Sequence, residues 1–277
     1  MLPLAFSITY FIVLPILGCV AGILGGLLGV GGGLVIIPVL LLVLGERFGE
    51  GSLHVYKLAA LISAVVLSIP AAGQHFRARA VIPSMLWGVL PLSVVGVAAG
   101  VGTARLLAGS LTQVLQQIFG AFMILFVAVQ VWQRRRLADG TRAGPDRCPA
   151  PWRSTYLGLW IGLPSGIIAG LLGVGGGVWA VPVQHMKFGI TMRHAIANST
   201  CAIVGIAAAA ALAQSIAVAS MPDLRWDAGW RLAMGLAPGS VVGGLIGGGL
   251  AHRVPQGKLR VVFQFVLVLT GIRLLFA

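Results

Sequence analysis

The chain is short of charge. Asp, Glu, Lys and Arg make up 9% of its 277 residues, against 58% hydrophobic, and the mean hydropathy is +1.00. A soluble domain carries about a quarter charged residues. A soluble enzyme and a DNA-binding module are therefore excluded, and an integral membrane protein is implied. Acids are the scarcest charge: six in all, at Glu46, Glu50, Asp139, Asp146, Asp223 and Asp227. All six fall in expected loops, between the long apolar runs. A proton relay or a cation site within the membrane normally uses a carboxylate at depth, so both readings are weakened. Cysteine is sparse too. Cys19, Cys148 and Cys201 are far apart, with no spacing that suits zinc or a disulfide framework; no metal and no cofactor are expected. Alternating apolar segments, the mark of an outer-membrane barrel, are missing as well. The opening stretch MLPLAFSITYFIVLPILG lacks a basic n-region and its apolar run continues, so it reads as a first span rather than a cleavable signal.

Long apolar runs are plentiful. A membrane helix needs about 20 apolar residues. Runs 4–28, 58–74, 84–103, 114–133, 154–172, 195–219, 229–251 and 259–277 qualify or nearly so. Two shorter ones, 34–45 and 178–188, follow glycine clusters directly. The fold class expected is an all-α polytopic membrane protein. Its one long polar stretch, 134–153, holds six Arg and two Asp and reads as a linker. The domains expected are thus a first transmembrane repeat (1–133), an Arg-rich cytoplasmic linker (134–153) and a second transmembrane repeat (154–277).

The word repeat is meant literally. Residues 22–39, GILGGLLGVGGGLVIIPV, match residues 166–183, GIIAGLLGVGGGVWAVPV, at twelve of eighteen positions. Further on, PLSVVGVAAGVG (91–102) and PGSVVGGLIGGG (238–249) share P-x-S-V-V-G-x-x-x-G-x-G in the same order. Each half contains a Gly-broken short helix. Five crossings per half would make the repeats inverted, and four would make them parallel. The net charge of +13 bears on the choice, because cytoplasmic loops carry excess Lys and Arg. The inverted arrangement puts 13 of the 19 basic residues inside; the parallel one splits them 11 to 8. Inverted repeats, with both termini outside and the linker inside, are the expectation.

The chemistry sits in G-V-G-G-G-x-x-x-x-P, at Gly29–Pro38 and again at Gly173–Pro182. Consecutive glycines disfavour regular helix by about 1 kcal/mol each relative to alanine and admit positive φ and close backbone approach. Broken backbone is tolerated in lipid only inside the protein or beside a water-filled cavity. The short runs that follow would be about 18 and 16 Å long as helices, against a hydrocarbon core of about 30 Å. Their glycine ends therefore fall within the membrane. Those ends are helix N-termini, which favour anions, and paired broken helices aimed at an anionic group are a transporter device. The candidate substrate-binding residues are Gly29, Gly31, Gly32 and Gly33 with Gly173, Gly175, Gly176 and Gly177. Close helix packing is the other reading of such glycines.

Asn198, Ser199 and Thr200 add amide and hydroxyl donors, and sequence alignment of the halves places Ser63 opposite Thr200 and Lys57 opposite His194. These can bind an oxyanion or serve as interhelical glue. His75 and Arg77, at a cytoplasmic helix end, and His194 could gate or attract an anion, or simply anchor the interface; Gln184 lies on the second short arm. His54, His185 and His252 read as interfacial histidines. Trp179, where the first half has Val35, would narrow one side of the cavity.

The doubled GxGGGxxxxP, followed by the small, hydroxyl-rich AIANSTC of Ala195–Cys201, resembles the sulfite exporter TauE/SafE family over nearly the whole chain. The resemblance implies a permease of the bacterial inner membrane that exports sulfite, a sulfonate or a related sulfur-containing or organic anion. The expected partners are a small anionic substrate and the lipid bilayer, with no nucleic acid; a homodimer is a further candidate. An anion channel, an uptake permease for a small organic acid and a membrane-embedded enzyme are the alternatives. The last lacks any nucleophile–base pair or metal set at depth.

Overall fold

The computed structural model describes residues 8–45, 52–107, 112–138, 154–220, 226–251 and 257–276. All regular structure among them is helical. The first half contributes α1 (Ile8–Leu28), α2 (Gly33–Leu44), α3 (Ser52–Arg77), α4 (Pro83–Leu106) and α5 (Thr112–Ala138). The second contributes α6, which runs from Ser154–Leu157 through a π-helical turn (Gly158–Gly162) into Leu163–Leu172, then α7 (Gly177–Met186), α8 (Met192–Ala219), α9 (Trp226–Leu250) and α10 (Gly257–Phe276). Among the described residues, seven helices are long and apolar enough to cross a membrane. The short helices α2 and α7 stand where the two brief apolar runs were expected. The helix α5 continues past residue 133 to Ala138; the rest of the linker lies outside the described residues.

Polarity is distributed as in a membrane protein. Phe11, Trp87 and Phe265 are 71%, 80% and 68% exposed on the outer surface, while His54, Lys57, His75, Gln184, Asn198 and Gln214 are buried. Lipid can cover the first set; the bundle itself must accommodate the second.

Glycine decides how the helices meet. On α1, Gly18, Gly22 and Gly26 lie against α9: a Cβ at Gly18 would strike the Leu236 carbonyl, and at Gly22 it would lie 2.8 Å from Ser240 O and Gly244 N. The second half repeats this contact with the roles exchanged. On α6, Gly162 meets Val89 and Ser93 of α4, and Gly166 meets Ser93 and Val97. Ser93 and Ser240 hold the same place in the shared P-x-S-V-V-G sequence. Each half therefore lends its first helix to the fourth helix of the other. Small residues at four-residue spacing let the backbones touch, and van der Waals packing supplies the attraction where lipid removes the hydrophobic one.

The order of contacts gives the helix directions. Gly18, Gly22 and Gly26 meet rising positions on α9, so α1 and α9 are parallel. Gly229 meets Leu58 and Gly248 meets Ala71, so α9 and α3 are parallel. By the same test α6 is parallel to α4. α3 and α8 run antiparallel, since Gln214 contacts His54 while Arg193 contacts Ala78. α5 and α10 are antiparallel too: Gly120 and Gly271 touch reciprocally, and Gln264 bonds Gln130.

Candidate functional site

The two glycine breaks meet each other. A Cβ at Gly33 would lie 2.5 Å from the Gly173 carbonyl oxygen and 2.8 Å from Val174 Cα; one at Gly177 would strike the Gly29 carbonyl. Between these reciprocal contacts Gly31 and Gly175 face each other, a Cβ on either lying 3.7 or 3.9 Å from the other's Cα. Their flanks are Ala64 and Ile203, each near the middle of its long helix, so the crossing lies at mid-height in the bundle. All ten residues of the two clusters, 29–33 and 173–177, are buried. Gly29 and Gly31 have φ of +66° and +80°, and Gly173, Gly175 and Gly176 have +77°. A side chain there would be strained by about 1–2 kcal/mol. Gly32 departs from its counterpart Gly176, with φ of −71°. Neither Gly32 nor Gly176 carries a side-chain cap, so the first amides of α2 and α7 keep the donor capacity that a helix N-terminus has.

Of the hydroxyl cluster, Ser199 reaches the crossing. Its Oγ donates to the Gly29 carbonyl at 2.7 Å. Thr200 Oγ1 donates to Ile196 O, four residues back on its own helix. Asn198 faces the α3–α4 connection and α7: its Oδ1 accepts from the Ile82 N–H at 2.7 Å, and its Nδ2 donates to Gln184 Oε1 at 3.3 Å. His194 Nδ1 meets Ala80 O at 2.6 Å and Arg193 Nη2 donates to Ala78 O at 2.9 Å. Together these bonds pin the α3–α4 turn to the start of α8. His75 is buried near this end, whereas Arg77 is exposed. Ser63 Oγ is buried without a partner among the described residues.

Three sequence expectations change. The contacts place Lys57 opposite Ile196 rather than His194: a Cβ at Gly173 or at Gly29 would lie 3.1 Å from the Cα of Lys57 or Ile196 respectively. A two-residue shift turns a helix by about 200°, which moves Ser63 away from Thr200. Trp179 does not border the crossing. It is 38% exposed and its indole N–H donates to Trp160 O at 2.8 Å. With Phe126, Trp132 and Lys187 it lines an apolar cavity of about 360 Å³ to which no break glycine contributes. Asp227 is in the first turn of α9 rather than in a loop, and pairs with Arg231 at 3.3 Å.

Reading the sequence also missed a cluster. Helix α3 begins at Ser52, not near residue 58, so His54 and Lys57 are inside it. Both are 1% exposed. Gln214 of α8 donates to His54 Nδ1 at 3.2 Å, while Lys57 Nζ finds no acceptor among the described residues. The available signal was a lone Lys in an apolar run, SLHVYKLAALISAVV, because an ionisable residue within a span marks function by default.

Paired broken helices in repeated halves recur among secondary transporters. The model of the family described as sulfite exporter TauE/SafE matches residues 14–274. The chain belongs to this family. The similar members are named as membrane transporters, and the described helices make this chain a multi-pass membrane protein. Among similar proteins, the probable membrane transporter protein MamO of Magnetospirillum gryphiswaldense is 26% identical over 255 residues, which is 83% of this chain and 39% of that protein. MamO of Paramagnetospirillum magneticum is 24% identical over 251 residues, with the same coverage. The probable membrane transporter protein YunE of Bacillus subtilis is 26% identical over 200 residues, 68% of this chain and 72% of that protein. The chain thus spans about two-fifths of the length of the MamO proteins. No solved structure matches it.

Proposed function

We propose that this transporter exports a small anion, sulfite or a sulfonate, across the inner membrane by alternating access around the crossed glycine breaks. The observation that carries the reading is the reciprocal contact at mid-height, Gly33 on Gly173 and Gly177 on Gly29. It brings two helix N-termini, each favourable to negative charge, to one place. The two repeats, 1–133 and 154–277 around a cytoplasmic linker, are read as inverted. Helix directions support this: α1 runs with α9 and α9 with α3, the short connection 78–82 turns the chain back into α4, and α6 runs with α4. The first helices of the two halves then point oppositely, as the basic residues also favour. A potential negative inside drives a monovalent anion outward by about 2.3 kcal/mol per 100 mV, so export needs no intramembrane carboxylate.

The test is efflux from liposomes loaded with sulfite, methanesulfonate or acetate. Saturable sulfite or sulfonate flux that shows counterflow, and that falls in folded Gly32→Val or Gly176→Val protein, is the expected result. Flux that neither saturates nor shows counterflow would assign a channel. Wild-type flux in both variants would remove the breaks from the mechanism.

A further inference from the structure

Lys57 stands in the second turn of α3, buried, with no acceptor for its ammonium among the described residues. Its stem packs against the second break: a Cβ at Gly173 would lie 2.8 Å from Lys57 Cγ. His54 is one turn earlier on the same face of α3, as three-residue spacing requires. Because Gln214 Nε2 donates to His54 Nδ1, the ring proton belongs on Nε2, and that Nε2 is also buried without a partner. Gln214 Oε1 is likewise unpartnered. Asp227, the one carboxylate among the described residues, is engaged by Arg231. An ammonium and an imidazole N–H thus converge in an apolar interior without an acceptor. An uncompensated buried charge is strongly destabilising, and removing one partner of a buried pair is costly for the same reason. At the counterpart end of the bundle Ile196 takes the place of Lys57, and Asn198 and His194 are bonded to protein groups.

We propose that His54, Lys57 and Gln214, covered by the Gly173 break, form a binding site for a monovalent oxyanion, with Lys57 supplying the countercharge. The anion's oxygens accept from Lys57 Nζ and His54 Nε2, and Gln214 Oε1 accepts from a hydroxyl on the anion or from its bound water. The site is closed in this structure, so the anion enters when the break moves off Lys57. This deepens the anion-export reading and rests on it.

The experiment uses the full chain in detergent and in liposomes, with sulfite and methanesulfonate as probes. Lys57→Met removes the charge and keeps most of the volume. It should melt higher than the wild type without anion, because the uncompensated cation is gone, and it should lose the anion-induced rise in melting temperature, with affinity down at least about tenfold. Gln214→Leu should weaken binding less, since it leaves Lys57 in place. Anion-dependent stabilisation that persists in Lys57→Met at wild-type affinity overturns the site, and so does absence of any anion effect on the wild type. Wild-type KM for sulfite flux in Lys57→Met overturns the site while leaving anion export standing. Lys57-dependent binding without any flux keeps the site and overturns export. Unchanged affinity with loss only of the pH dependence of flux would reassign Lys57 to proton movement and sink the proposal.

Discussion

Whether the two breaks press on each other can be decided by one methyl group placed twice. Gly33→Ala and Gly249→Ala are the same chemical change on helical backbone of ordinary φ. In a free helix each would gain up to about 1 kcal/mol. Gly249 has nothing within 4 Å of the added Cβ, so its gain should survive. At Gly33 the methyl meets backbone of the opposite break, 2.5 Å from Gly173 O and 2.8 Å from Val174 Cα. Backbone cannot swing aside as a side chain can. Overpacking of this kind costs about 1–3 kcal/mol, which is then the expected stability gap between the two variants. Gly177→Ala should behave like Gly33→Ala, because its methyl strikes the Gly29 carbonyl and lies 2.9 Å from Ser199 Oγ. The double variant tests the reciprocity. Once one methyl has pushed the breaks apart, the second should cost less than it does alone, by about 0.5 kcal/mol or more of coupling. Unfolding by SDS titration in mixed micelles reads all four proteins. Gly33→Ala as stable as Gly249→Ala, or strict additivity in the double variant, would refute the crossing as described.

Other expectations follow from single contacts. Gly175→Ala meets nothing closer than Ile203 Cγ2 at 3.4 Å, so it should cost only the backbone strain of about 1–2 kcal/mol; a larger loss in the same titration would mean the neighbours are tighter. Asn198→Ala leaves the Ile82 N–H without its 2.7 Å acceptor, a loss of about 1–3 kcal/mol, and Ser199→Ala should cost about 1 kcal/mol by releasing Gly29 O; equal and negligible losses would argue against both bonds. With Cys19 and Cys201 replaced by serine, a membrane-impermeant maleimide should label Cys148 in inside-out vesicles and not in right-side-out ones. The opposite pattern would place the linker outside.

Much of the fold was legible because its signals are local. Run lengths and duplicated glycines located α1, α2, α6 and α7 to within a few residues, since a long uncharged stretch in lipid has few options besides helix. The register between halves was not legible. Sequence similarity fades between the break and the P-x-S-V-V-G segment, and only the contacts of Gly29 and Gly173 reveal that Lys57 answers to Ile196. The start of α3 was set too late for a related reason: Ser52, His54 and Lys57 look like a polar boundary on a hydropathy scale. The fold buries them instead, within reach of Gln214 on a helix 160 residues away in sequence from His54. The Asn-Ser-Thr run was visible as donors, but which acceptors those donors find depends on α3, α7 and the Gly29 turn, and no spacing along α8 encodes that.

The halves are alike in backbone and unlike in chemistry, and the difference is concentrated where the breaks touch the long helices. Ser199 ties α8 to the first break through Gly29 O; the position that answers to it on α3 is Ala60, which has no donor. Lys57 presses on the second break, and Ile196 presses on the first. Likewise Gly176 is left-handed where Gly32 is not. Symmetric packing of α1 on α9 and α6 on α4 would let the two halves, if inverted as proposed, exchange shapes at little energetic difference. Unequal side chains at the breaks remove that degeneracy. The first break is held by a hydrogen bond satisfied within the protein, and the second rests on Lys57, whose Nζ finds no acceptor among the described residues. Under the proposed anion site, the second is the break whose position an anion would change, because a ligand shifts an equilibrium only by its differential affinity for the two states.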